Sequence, residues 1–148
     1  MSGARYVAVV GPGDASSEHE AVAEEVGRLL ARRGAVVVCG GLGGVMEAAC
    51  RGARGEGGLA VGILPGFDRG AANPHVSVAV ATGLGEARNA LVVRAADALI
   101  AVGGAYGTLS EIALALKAGK PVVGLDTWQI EGVEPADGPE SAVETALT

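Results

Sequence analysis

Residues 98–125 read ALIAVGGAYGTLSEIALALKAGKPVVGL. The run 98–102 is apolar throughout, the pattern of a strand covered on both faces rather than one. Gly103, Gly104 and Gly107 break it, and residues 109–117 then carry apolar side chains around most of a helix. Gly119 closes that helix, and Pro121 opens a second apolar run at 121–125. A strand, a glycine turn, a helix and a further buried strand make a crossover unit, whose two strands must run parallel. The same grammar extends in both directions. YVAVV at 6–10 meets Gly11, Pro12 and Gly13; AVVVC at 35–39 meets GGLGGVME at 40–47; LAVGIL at 59–64 is a third strand, and 76–80 a weak fourth. Ser17 and Glu20 are spaced as a capping box, ahead of Val22, Val26, Leu29 and Leu30 at helical intervals up to Gly34. An alanine-rich helix follows at 45–54, a third at 84–96, and a short last one after Asp137, Gly138 and Pro139. The polar stretch 65–75, PGFDRGAANPH, is expected to be the most mobile part of the chain. Strands alternating with helices along the whole length predict an α/β domain over 1–148: a doubly wound parallel sheet of six or seven strands, helices on both faces.

Composition agrees and narrows the function. Apolar residues are 49% and charged residues 19%, so burial dominates and disorder is excluded. A net charge of -6 argues against a nucleic-acid partner, which needs clustered positive charge to displace counterions, but leaves room for a small anion held by a few local donors. The N-terminal apolar run is too short for a membrane span or a signal peptide, so a cytoplasmic protein without a membrane partner is expected. Cys39 and Cys50 stand alone, as reduced core thiols rather than a disulfide or zinc pair. His19 and His75 have no partner at metal-ligand spacing, and no metal site is expected.

In a doubly wound sheet the ligand lies beyond the carboxyl ends of the strands, where the strand order reverses, so the loops after the first, second and fifth strands should converge. They contain Gly11, then Gly40, Gly41, Gly43 and Gly44, then Gly104 and Gly107. Unhindered backbone amides at a helix start, with the positive end of the helix dipole, suit a phosphate. Sharp strand-to-helix reversals alone would also call for glycine. Thr108 offers a hydroxyl and Glu111 a carboxylate one turn on, although their spacing is equally that of an N-cap and its capping-box partner. Arg88 and Asn89 open the third helix. The planar guanidinium of Arg88 is a candidate phosphate clamp, with a solvated or Glu86-paired arginine as its plain alternative. Asp14, Ser16 and Ser17 serve first as turn and capping residues, and the role of Glu47 stays open between repelling a phosphate and accepting a ribose hydroxyl.

The segments GGLGGVMEAA, GILPG, GEARN and GTLSE, with ADALIAVGGAYGTLSEIALALKAGKPV at 96–122, resemble the LONELY GUY family of Rossmann-like phosphoribohydrolases, once called lysine decarboxylases. A small bacterial branch and the molybdenum cofactor carrier proteins are the closer resemblance. It implies a nucleotide such as adenosine monophosphate, or a molybdopterin-type compound, as ligand, with no cofactor required for function. The alternative it implies is hydrolysis of the N-glycosidic bond of a nucleoside 5′-monophosphate, with Arg88 and Glu111 as catalytic residues and Gly107 and Thr108 on the phosphate. Asn89 stands where that family has lysine, Gly103 where it has proline and Ala105 where it has glycine; these departures touch hydrolysis more than phosphate binding. A pyridoxal decarboxylase is excluded, because the only lysines, Lys117 and Lys120, sit at structural positions. Helices 45–54 and 109–117 are apolar or small on more sides than one sheet face can cover, which predicts a homodimer through them, as the resemblance also implies.

Overall fold

The computed structural model describes residues 3–148. Its elements in chain order are β1 (Tyr6–Val10), α1 (Ser17–Arg32), β2 (Val36–Cys39), α2 (Val45–Gly55), β3 (Ala60–Leu64), β4 (Val78–Ala81), α3 (Arg88–Ala95), β5 (Ala98–Val102), α4 (Tyr106–Lys117), β6 (Val122–Leu125), β7 (Val133–Pro135) and α5 (Pro139–Ala146). Short 3-10 turns at Arg69–Ala71 and Gly85–Ala87 precede β4 and α3. The strands form one parallel sheet in the order β4-β3-β2-β1-β5-β6-β7. The expected doubly wound α/β architecture is what the chain forms, with seven strands.

The side-chain alternation of β1 shows why both faces need helices. Val7 and Val9 enter a core with α1, α2 and α5, while Ala8 and Val10 enter another with α3 and α4. α1 and α2 cross with almost no space between their backbones. A Cβ on Gly27 would collide with the carbonyl oxygen of Ala49, and one on Gly52 with that of Glu24. The small-residue face of α2 is therefore covered by α1 of the same chain, so α2 does not offer the unpartnered apolar face expected of it. α4 does keep an open side, at Tyr106 and Ala113.

Two expectations are corrected, and one strand was not announced by the sequence. Ser16, in extended conformation, caps α1 by accepting the His19 amide at 3.1 Å, while Ser17 is already helical, so no Ser17–Glu20 box forms. α4 starts at Tyr106 with Ala105 as N-cap, placing Thr108 inside the first turn and removing the supposed Thr108–Glu111 cap. β7, a three-residue edge strand containing Pro135, has no apolar run to announce it, and proline is tolerated there because an edge N–H has no obligatory partner.

The reversal point lies between β1 and β5. From β1 the chain winds outward through β2, β3 and β4, then returns to β5 on the other side of β1. The loops after β1 and β5 part there, and the loop after β2 stands beside them.

Candidate functional site

The floor of the site is made by glycines whose missing side chains are replaced by other parts of the chain. Gly11 sits against the Val102 carbonyl and Val45, and Gly44, at φ +64, against the Pro12 carbonyl. The Val45 amide, first in α2, donates to Pro12 O at 3.1 Å, so the start of α2 is partly satisfied from within. Gly41 adopts φ +80, a region open to glycine without strain, and lies over Gly62 and Leu64. Gly40 is where the loops meet the third helix: a Cβ there would lie 2.7 Å from Arg88 Nη2 and 2.8 Å from Met46 Sδ.

Arg88 thus lies across the β2 loop. One of its guanidinium nitrogens donates to the buried Asn89 side chain, whereas Nε is buried with no acceptor. A buried cationic donor left unmatched is costly, on the order of 1–3 kcal/mol or more, and an anion supplies the missing acceptor. Thr108 Oγ1 is buried and unpartnered in the same way, at the start of α4. Ala105 offers no capping side chain, so the first amides of α4 are free of a side-chain acceptor and the positive helix end is uncompensated. Gly107 has open space where its Cβ would be. Glu111 is 6% exposed, and burial lifts its carboxyl to about 7, with Arg88 opposing through space. The structure brings together Gly40, Arg88 and Asn89, and sets Thr108 and Glu111 on the buried side of α4.

Gly103, one of the departures from the phosphoribohydrolase pattern, has a local reason, and nothing in the structure explains the alanine at 105. Gly103 has φ +72, which proline cannot adopt, and its open side is filled by the His19 ring. The Ala105 carbonyl accepts Trp128 Nε1 at 3.1 Å. His19 Nε2 in turn meets Asp126 Oδ2 at 2.7 Å, joining the start of α1 to the end of β6. The other expected polar residues stay structural. Lys120 Nζ donates to the Val93 carbonyl at 2.8 Å and the Arg94 carbonyl at 3.2 Å, at the end of α3.

Sequence reasoning missed two participants. Asn73, in the stretch expected to be mobile, is buried and anchors the β2 loop: its amide donates to Gly41 O at 2.9 Å and its Nδ2 to Leu42 O at 2.9 Å. The buried thiols Cys39 and Cys50, both free, lie 3.4 Å apart beneath the same loop. The contact with Cys50, and then burial, push the Cys39 thiol well above its ordinary range. Trp128 is the other, and only its isolation as the single tryptophan could have drawn notice. It lines a cavity of about 570 Å³ that lies not over Arg88 but at β6, beyond β5. Among the described residues no cluster of three or more His, Cys, Asp or Glu could hold a metal ion, and no helix is long and apolar enough to cross a membrane.

Comparison with known proteins agrees with this fold. A protein of Archaeoglobus fulgidus, itself uncharacterised, is 46% identical over 143 residues, covering 96% of this chain and 94% of its own. The molybdenum cofactor binding protein of the phototrophic bacterium Rippkaea orientalis has a TM-score of 0.92 at 38% identity, over 96% of this chain and 94% of that one. The molybdenum cofactor carrier protein of Chlamydomonas reinhardtii gives 0.87 at 32% identity, over 97% and 96%. The expected likeness to cofactor carriers is thus found across the whole chain. A model of the SLOG cluster4 family matches residues 4–146, and with the fold, strand order and glycine loops already described, the chain belongs to the SLOG cluster4 family.

Proposed function

We propose that this protein binds a phosphorylated, pterin-type compound such as the molybdenum cofactor, in the manner of a carrier, on the glycine loops at the carboxyl ends of β1, β2 and β5. The observation that carries the reading is Arg88: a half-buried arginine whose Nε is fully buried and unmatched, its guanidinium lying over Gly40. The uncapped start of α4, with Gly107 open above it, supplies the second set of donors. The similarity to two molybdenum cofactor proteins supports a pterin-type ligand over other phosphorylated compounds. Two free, buried thiols suit a reducing cytosol. The exposed part of α4 at Ala113, with the neighbouring α3 and not Tyr106 at the helix start, is assigned to a second copy of the chain.

Calorimetric titration with inorganic phosphate and with a pterin phosphate tests this. Arg88→Gln should weaken both by about 10- to 100-fold, the range of a lost charge-assisted hydrogen bond. Gly107→Val should also weaken both while leaving the melting temperature nearly unchanged, since its side chain meets nothing in the protein. Unaltered affinity in both variants would overturn the reading.

Glu111 favours a second one. A buried carboxyl with its pKa near neutrality, facing an arginine, suits an acid–base or charge-stabilising role in N-glycosidic cleavage. Base release from adenosine monophosphate that disappears in Glu111→Ala would establish it; no release by the parent at high protein concentration removes it for that substrate.

A further inference from the structure

The cavity at β6 lies outside the anion site, and its chemistry is the opposite. It is bounded by Asp126, Gln129 and Glu131, with no lysine, arginine or histidine among its lining residues, so it repels phosphate and accepts hydrogen bonds. The Thr127 hydroxyl on its wall is buried without a partner. One side is aromatic. Trp128 is fixed by its bond to the Ala105 carbonyl and lies against Gly104, where a Cβ would come 3.2 Å from its indole nitrogen. Tyr106 stacks on it, with ring centroids 6.1 Å apart and planes at 28°, yet remains 84% exposed. A tyrosine so exposed gains little by burial within the chain, and here it forms the first residue of α4, beside the free amides. The aromatic wall therefore runs from the cavity to the anion donors. Adjacent strands stand about 4.8 Å apart, so the end of β2 under Arg88 and the cavity at β6 are three spacings apart, about 14 Å, a distance for an extended phosphorylated ligand rather than a compact one.

Resting on the anion-binding reading above, we propose that Tyr106, Trp128 and Glu131 form a separate subsite for the ligand's ring. Its occupant is a planar bicyclic heterocycle with the 2-amino-4-oxo edge that pterins and guanine share. The ring stacks on the aromatic wall and its neighbouring N–H groups face carboxylate and amide oxygens. Asp126 is already engaged by His19, which leaves Glu131 and Gln129 as the free acceptors. Cation and carboxylates thus divide the ligand: phosphate toward Arg88, neutral donor-bearing ring toward Glu131. A cavity of about 570 Å³ is of the size that accommodates such a ring.

Trp128 is the only tryptophan, so its fluorescence reports this subsite alone. Four probes suffice: inorganic phosphate, adenosine monophosphate, guanosine monophosphate and neopterin monophosphate, by fluorescence and calorimetry. The last two should bind at least about tenfold more tightly than adenosine monophosphate, and guanosine monophosphate should quench Trp128. Tyr106→Ala and Glu131→Gln should each weaken them about tenfold, the scale of one lost base stack and of one lost hydrogen bond to a charged group respectively, with phosphate affinity unchanged. Whichever of the two binds more tightly identifies the ring. Equal affinity for all three ring compounds, or no effect of either substitution while Arg88→Gln still weakens phosphate, overturns the ring subsite and leaves the anion site standing. Loss of neither in Arg88→Gln overturns the anion site instead. No binding of either 2-amino-4-oxo probe at millimolar concentration overturns both.

Discussion

Among the described residues Glu111 is the only buried carboxylate, and its environment makes stability depend on pH. In the unfolded chain it loses its proton near 4.5; in the folded chain burial holds the proton to about 7. Between those values the unfolded state binds fewer protons, so folding loses stability as pH rises through the window, and the loss is complete above it. The gap corresponds to about 3 kcal/mol. Glu111→Gln should flatten urea-melting stability between pH 5 and 8 and gain about 2 kcal/mol at pH 8, short of the whole because Arg88 loses a counter-charge. A parent protein equally stable at pH 5 and pH 8 would contradict this. A bound phosphate would raise the Glu111 pKa further, so ligand binding near pH 7 should take up protons, visible as a calorimetric enthalpy that varies with buffer. Arg88, Thr108 and Glu111 were legible in the sequence as a group, but not their geometry. Spacing of three residues describes both a capping box and one face of a helix, and only the start of α4 at Tyr106 decides between them.

Between elements, the informative glycines are those where two backbones nearly touch. At Gly27 in α1, alanine would gain about 1 kcal/mol of helix propensity but must push aside the Ala49 carbonyl. Overpacking of that kind costs about 1–3 kcal/mol and more where the obstacle is backbone, so the clash wins. Gly27→Ala should be destabilised by about 2 kcal/mol net. Gly55→Ala, at the end of α2 with nothing within 4 Å, should instead be neutral or gain up to about 1 kcal/mol. Thermal melts of the pair check this: the same sign in both variants would show that the close crossing of α1 and α2 is not what these glycines serve. The central strands β1, β2 and β5 were readable because each is an unbroken apolar run ended by glycine. The partner of α2 was not. A small-residue face predicts that something comes close, and periodicity does not say whether it belongs to the same chain. Asn73 escaped notice for a related reason, since a single asparagine in a polar loop looks the same whether it faces water or ties down Gly41 and Leu42.

At the scale of the molecule, the doubly wound plan was legible because alternating buried strands and helices admit few other parallel arrangements, and the reversal at β1 and β5 then points to the candidate site. The same plan leaves one side of the sheet under-covered. Three helices, α1, α2 and α5, pack on one face, but only α3 and α4 on the other. β4 lies at the edge, and its register opposite Val61 and Ile63 turns Val78 and Val80 toward the α3 side, where they are 50% and 45% exposed. Leu91 of α3 is 39% exposed on that side. Ala113 of α4 is exposed as well. A stable dimer buries about 800 Å² per partner, more than any one helix offers, so the interface must draw on α3, α4 and β4 together. The protein should therefore sediment at tens of micromolar as twice its 14.5 kDa chain. Leu91→Arg combined with Ala113→Arg should return it to one chain mass, because two unpaired guanidiniums at the centre of an apolar contact cost several kcal/mol, while both positions already tolerate solvent in the isolated fold. A parent that sediments as a single chain, or a double variant that still pairs, would mean that this face is covered by something other than a second copy.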